Sequence, residues 1–215
     1  MLMKNIGFAV ALAAALFLPI AYIGITPAYA QEAASPQSKT IENLMTAYSG
    51  EQNAHARYLA FARKASEEGY EAVAGLFRTV ARAEQVQYEH HAGVMKKLGV
   101  APNSVIEAPV VKSTRENLES AFSAETYEKD VMYPAFLEQA KKDNVEDAVD
   151  AFKNAAAATG SHVRLYAMMV NSLTLSKGLV KDYYVCPLCG NVIDAITSSV
   201  CPVCFTETKK FIRIK

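Results

Sequence analysis

Apolar residues recur at helical spacing through most of this chain, in four successive stretches. From about Ser38 to Glu68 one stripe carries Ile41, Leu44, Met45, Tyr48, Tyr58, Leu59 and Ala62, and Gly69 is placed to end the helix. A second stripe, from about Glu71 to Leu98, carries Val73, Leu76, Phe77, Val80, Tyr88, Val94, Met95 and Leu98, and stops at Gly99 and Pro102. Residues 99–112 hold Pro102 and Pro109 without periodicity and read as a crossover connection. Ser113 and Glu116 make a capping box that opens a third helix. Its stripe is Leu118, Ala121, Phe122, Met132, Phe136 and Ala140, and it is expected to run to about Lys142 with a bend at Pro134. Asn144 is expected to cap a fourth helix with Ala148, Phe152, Ala155, Tyr166, Met169 and Leu173 inward.

The halves are related. The offset that carries Tyr58 onto Tyr133 also carries Phe61 onto Phe136, Phe77 onto Phe152 and Ala83 onto Ala158. Two similar helix hairpins joined by a long crossover predict an all-α four-helix bundle of ferritin-like connectivity over residues 38–177.

Polar residues interrupt every stripe on its apolar face. They are Glu51 and His55 on the first, Glu84, Gln87 and His91 on the second, Glu125 and Glu128 on the third, and Thr159 and His162 on the fourth. An ionised carboxylate buried without a partner costs several kcal/mol, so these acids require protonation, an ion pair or a metal. Glu125 and His162 stand equally far from a turn near Asp143, so antiparallel helices bring them to one level. Glu51, Glu84, Glu125, Glu128 and His162 thus form a candidate set for two iron or manganese ions in the bundle's interior. His55 and His91 are expected to orient those acids by hydrogen bonds, and His90 to lie at the surface. The same offset pairs Glu84 with Thr159 and Gln87 with His162. A symmetric bundle would repeat Glu-x-x-His, whereas this chain has Glu-x-x-Gln in one half and Thr-x-x-His in the other. Plain core packing is the simplest use of Tyr58, Tyr88 and Tyr133, and it is the expected one for Tyr88.

After Lys177-Gly178 the helical period ends. Cys186-Pro187-Leu188-Cys189-Gly190 and Cys201-Pro202-Val203-Cys204 are two C-x-x-C knuckles, which hold one tetrahedral metal, iron or zinc, through four thiolates. Two disulfides are the competing use of the same cysteines, and export gives that use some weight, but knuckles with Pro after the first Cys suit one metal better than two bridges. Tyr183, Tyr184, Phe205, Phe211 and Ile212 predict short strands in a small module over residues 178–215.

Composition alters this picture only at the N-terminus. Lys plus Arg and Asp plus Glu number 22 each, so no basic field points to a nucleic acid. Residues 1–30 read as an export signal, with Lys4, an apolar run from Ile6 to Ile25 broken by Pro19, and Ala28-Tyr29-Ala30 before Gln31. An uncleaved membrane anchor is the alternative, and either one places the folded part outside the cytoplasmic membrane, periplasmic in a two-membrane cell. Residues 31–37 read as a flexible lead-in.

Gly50-Glu51-Gln52-Asn53-Ala54 with Arg57-Tyr58, the Glu125-x-x-Glu128 pair leading into Met132-Tyr133-Pro134, His162 and the terminal CPLCG and CPVC together resemble the rubrerythrin family over residues 38–215. The resemblance implies a ferritin-like di-iron bundle with a C-terminal rubredoxin-like domain whose cysteines hold one iron. It implies reduction of hydrogen peroxide with electrons from a redox donor relayed through that iron, in a homodimer whose two kinds of iron site approach across subunits. Carried over, Glu51, Glu84, Glu125, Glu128 and His162 match metal ligands, with Glu128 the one that adjusts coordination, and Tyr58 and Tyr133 match tyrosines lining the site. Gln87 and Thr159 depart, standing where the family has a His and a bridging Glu. Two other functions remain open: an iron-binding electron carrier with a degenerate bundle site, or a bundle with a structural zinc ribbon.

Overall fold

The structure, a computed structural model, describes residues 37–215, and the export signal and residues 31–36 of the lead-in lie outside the described residues. Its helices are α1 (Ser38–Glu67), α2 (Glu71–Lys97), α3 (Thr114–Tyr127), α4 (Tyr133–Lys142) and α5 (Glu146–Ser172). A π-helical turn, Glu128–Met132, joins α3 to α4, so the two form one continuous arm. The four arms pack as two antiparallel hairpins, α1 on α2 and α3–α4 on α5, and residues 100–112 make the extended crossover between them. This is the ferritin-like bundle expected from the stripes. No helix among the described residues is long and apolar enough to cross a membrane.

Local chemistry explains the ends. Ser113 Oγ accepts from the Glu116 N–H while Glu116 Oε2 accepts from the Ser113 N–H at 3.2 Å, completing the capping box. The helix does not break at Pro134. Proline lacks an N–H and its ring crowds the carbonyl four residues back, and the π turn relieves both by letting the Tyr133 N–H reach Glu128 O. Asn144 does not cap α5, whose N-cap is Val145. The internal repeat maps Asn144 onto Gly69, and both take left-handed backbone, φ +54° and +82°, to close the preceding helix. Asparagine tolerates that conformation, so the repeat was the better guide to its role.

Two apolar clusters fill the bundle. Tyr58, Phe61, Phe77, Leu118 and Tyr166 form one, and Leu44, Met95, Tyr133, Ala148 and Phe152 the other. Fully burying each large side chain contributes about 1.5–3 kcal/mol. Leu59 of the predicted first stripe is exposed instead, and Tyr88 sits half-buried at the rim, edge-on to Tyr48 and His55.

The C-terminal module is a three-stranded antiparallel sheet in the order β2 (Val192–Ile193), β1 (Tyr183–Val185), β3 (Ile212–Ile214). Tyr183, Val185 and Val192 join the first bundle cluster, so the sheet packs on the helices, chiefly α2. Gly75 makes room there: a Cβ on it would stand 3.4 Å from Lys181 O. Phe205, expected in a strand, lies outside one at φ +61°, in the turn of the second knuckle.

Candidate metal centre

The acids that interrupt the stripes meet between the apolar clusters. Glu51, Glu84, Glu125 and His162 are fully buried and Glu128 is 9% exposed. His162 Nδ1 lies 3.0 Å from Glu125 Oε2 and 3.4 Å from Glu84 Oε1, as the equal distances from the turn require. Oxygen and nitrogen donors about 2.1 Å from a shared cation stand roughly 3 Å apart, so this trio has the spacing of one metal's ligands. Donor atoms of the three residues all fall within 4.8 Å of one another.

Glu51 is held separately. Its Oε1 accepts from the Tyr133 hydroxyl and faces His91 Nε2 at 3.0 Å, which leaves Oε2 without a partner. His91 thus has the orienting contact expected of it, but His55 does not: its Nδ1–H donates to Ala81 O at 2.6 Å, so it braces α1 on α2. His90 is half-buried rather than at the surface. On the other flank the Tyr58 hydroxyl donates to Glu125 Oε1 at 2.7 Å, turning Oε2 toward His162. Burial and the neighbouring carboxylates raise both phenols well above their ordinary range, so each remains a protonated donor.

The charge of this layer is not balanced by protein cations. Among the described residues no lysine or arginine lies within ion-pairing distance of Glu51, Glu84, Glu125 or Glu128. Burial, and then Glu125, push the Glu84 carboxyl up to about 8, and burial and Glu125 drive Glu128 well above the carboxylate range. Burial alone would lower the His162 imidazolium, but Glu125 and Glu84 outweigh it and raise it to about 10. Protons thus stand where cations are wanted. Glu51 Oε2, both Glu84 oxygens and Glu128 Oε2 have no hydrogen-bond partner, and neither do the Gln87 amide atoms or Thr159 Oγ1. Each orphaned buried group costs about 1–3 kcal/mol, which is the signature of a layer built for a metal and its waters. Gln87 is 3% exposed and Thr159 fully buried, so both lie on the inward faces that the repeat predicts.

The second centre is the pair of knuckles. All four cysteines are free, not disulfide-bonded, and their sulfurs lie within 4.8 Å of one another. The Cys186–Cys204 and Cys189–Cys201 sulfur separations of 3.4 and 3.7 Å match tetrahedral edges of about 3.8 Å around one ion. The Cys186 thiol is drawn down to about 5, first by its hydrogen bond with Cys189, whereas that same hydrogen bond and burial raise Cys189 and burial raises Cys201 to about 11, so without a cation the crowded sulfurs share protons.

A contact that no spacing in the chain foretells joins the centres. His162 Nε2 lies 3.0 Å from Gly190 O. A carbonyl only accepts, so Nε2 carries a hydrogen; the raised imidazolium also donates from Nδ1 to Glu125 Oε2 at 3.0 Å, and that Nδ1 proton is the one a metal would replace. Gly190 follows Cys189 directly, so within this chain the two centres adjoin.

The comparisons agree with this geometry. The family model for rubrerythrin matches residues 42–170. Nigerythrin of Nitratidesulfovibrio vulgaris is 33% identical over 173 residues, covering 80% of this chain and 85% of that protein. Rubrerythrin-2 of Clostridium acetobutylicum is 31% identical over 175 residues, covering 80% of this chain and 95% of that protein. A solved structure of nigerythrin in its fully reduced, all-ferrous state superposes with a TM-score of 0.76 at 34% identity, covering 81% of this chain and 86% of that one.

Proposed function

The chain belongs to the rubrerythrin family, and from that membership and its two adjoining centres we propose that it is a non-haem iron oxidoreductase reducing hydrogen peroxide to water. The observation that carries this reading is the buried acid layer, paired with no lysine or arginine among the described residues, joined through His162 to a four-cysteine knuckle.

In this reading Glu51, Glu84, Glu125, Glu128 and His162 hold two irons, and Cys186, Cys189, Cys201 and Cys204 hold a third. When bound, the bundle irons supply the two electrons that cleave the O–O bond. The chain's own side chains do the rest. Tyr58 and Tyr133 each occupy one oxygen of a carboxylate and leave the other free for metal. The acid layer lies beneath the side chains of two packed hairpins, which exclude water. Glu128, the least buried of the acids, sits in the π turn where the backbone is not locked into regular α geometry, and it is the carboxylate that would be free to shift if a bound metal changed charge. An iron held by the cysteines would accept electrons from an external donor, and Cys189, Gly190 and the hydrogen bond to His162 link that site to the acid layer. The homodimer and the export read from residues 1–30 belong to the same proposal.

Gln87 and Thr159 favour a second reading, an electron carrier whose bundle site is degenerate, because neither supplies the donor that the family places there. Metal analysis separates the two. About three irons per chain, with reddish thiolate-to-iron absorption and peroxide consumption by the reduced protein, supports the peroxidase. About one iron per chain and no peroxide consumption overturns it, and a colourless zinc protein overturns both.

A further inference from the structure

Of the four acids in the layer, Glu51, Glu84 and Glu125 are fully buried and Glu128 reaches the surface. Glu128 lines an open cleft, of about 820 Å³, between α1 and the crossover. The crossover is fastened over α1 by Asn53, whose Nδ2 donates to Val105 O at 3.1 Å and whose Oδ1 accepts from the Glu107 N–H at 2.8 Å. Arg57 lines the same cleft, its guanidinium 5.3 Å from the centre of the Tyr58 ring. It is the only cation among the lining residues, and among the described residues it forms no ion pair. An arginine in this setting would ordinarily be neutralised by a carboxylate, and Glu42 and Glu107 line the same cleft without pairing with it.

Resting on the peroxidase reading, we propose that this cleft is the mouth by which peroxide reaches the acid layer, and that Arg57 positions the incoming oxygens beside Glu128. The guanidinium offers a fan of N–H donors that have no carboxylate to satisfy them, and a small molecule with acceptor oxygens satisfies them in passing. Acidic residues around the rim disfavour multiply charged anions, so the mouth selects small, neutral or singly charged oxygen and nitrogen ligands. Gly50 is exposed on the rim, and a Cβ there meets nothing within 4 Å. A larger residue at that position obstructs the mouth without disturbing the core.

The test uses the iron-loaded full chain and azide as a probe of the open metal position. Arg57→Met keeps the length of the side chain and its packing on Tyr58 but removes the charge. It should weaken azide binding about tenfold and raise the KM for hydrogen peroxide more than it lowers kcat, with iron content unchanged, and Arg57→Lys should recover most of the loss. Gly50→Phe should slow cumene hydroperoxide more than hydrogen peroxide. Unchanged azide affinity in Arg57→Met overturns the role of Arg57, and an unchanged ratio of the two hydroperoxides in Gly50→Phe overturns the route. A wild-type chain that takes up no bundle iron overturns the peroxidase reading itself, and this inference with it.

Discussion

The carbonyl oxygen of Gly190 and the Nε2 of His162 meet at 3.0 Å, where the first cysteine knuckle enters between α2 and α5. Gly190 has φ +77°, and a Cβ on it would lie 3.0 Å from Ala83 O and 3.3 Å from Gln87 Cγ. A side chain is therefore excluded twice, by backbone conformation and by the closeness of α2.

Gly190→Ala should push the knuckle off α2. A loss of about 1–3 kcal/mol is expected, read as a lower melting temperature, with slower reduction of the bundle site than of the cysteine site in stopped-flow. A variant as stable and as fast as its parent would show the contact to be incidental.

Without metal the chain should lose stability as pH rises. Glu84 sits at about 8 against an ordinary 4.5, and His162 at about 10 against 6.5, so between these limits the folded state binds more protons than the unfolded one. The stabilisation is complete below pH 4.5 for Glu84 and 6.5 for His162, and is lost through 8 and 10 respectively. Melting of the metal-free protein should fall by roughly 5 °C or more between pH 5 and 8.5. Iron loading, which replaces those protons, should flatten the profile; a metal-free melting point that climbs over this range would refute the sign.

Gln87→His with Thr159→Glu should give the orphaned positions the donors that the symmetric pattern calls for. The doubly substituted chain is expected to hold its second bundle iron more tightly, by about tenfold in competition with a chelator, and to turn over peroxide faster. Equal retention and equal rates would mean that neither departure limits the site.

Phe205 holds in the second knuckle the place that Gly190 holds in the first. Its N–H donates to Cys201 O at 3.0 Å, as that of Gly190 does to Cys186 O at 3.1 Å, but it does so at φ +61° with a bulky side chain 76% exposed. Phe205→Gly should stabilise the module by about 1 kcal/mol, seen as slower release of the cysteine-bound metal to a chelator. Faster release would indicate that the exposed ring contributes packing that the glycine loses.

Export predicts a mature chain. Mass spectrometry of the protein recovered from outside the cytoplasmic membrane should find Gln31 as its first residue. An intact residue 1 would favour the anchor instead.

Much of the centre was legible along the chain because burial of a carboxylate is chemically anomalous. Glu51, Glu84, Glu125 and His162 announced themselves by falling on apolar stripes, and all four are fully buried. His55 lies on the same stripe and was misread, because periodicity fixes the face of a helix and not the atom that a side chain reaches. Arg57 was passed over for the complementary reason: a half-buried arginine beside a stripe looks like a solvated residue until the crossover is seen to roof the cleft. The π turn left no mark either, since Pro134 predicts some disturbance but not whether the helix bends or widens.

Local patterns, then, determined the bundle, its two related halves, the acidic layer and the four-thiolate knuckles, because helical period and ligand spacing operate over a few residues. Folding alone decided which atoms meet: Glu125 with His162, Glu51 with His91 and Tyr133, and Gly190 with His162. Those partners come from segments far apart in the chain, and only the packing of hairpin on hairpin, and of sheet on α2, fixes their separation to within a hydrogen bond.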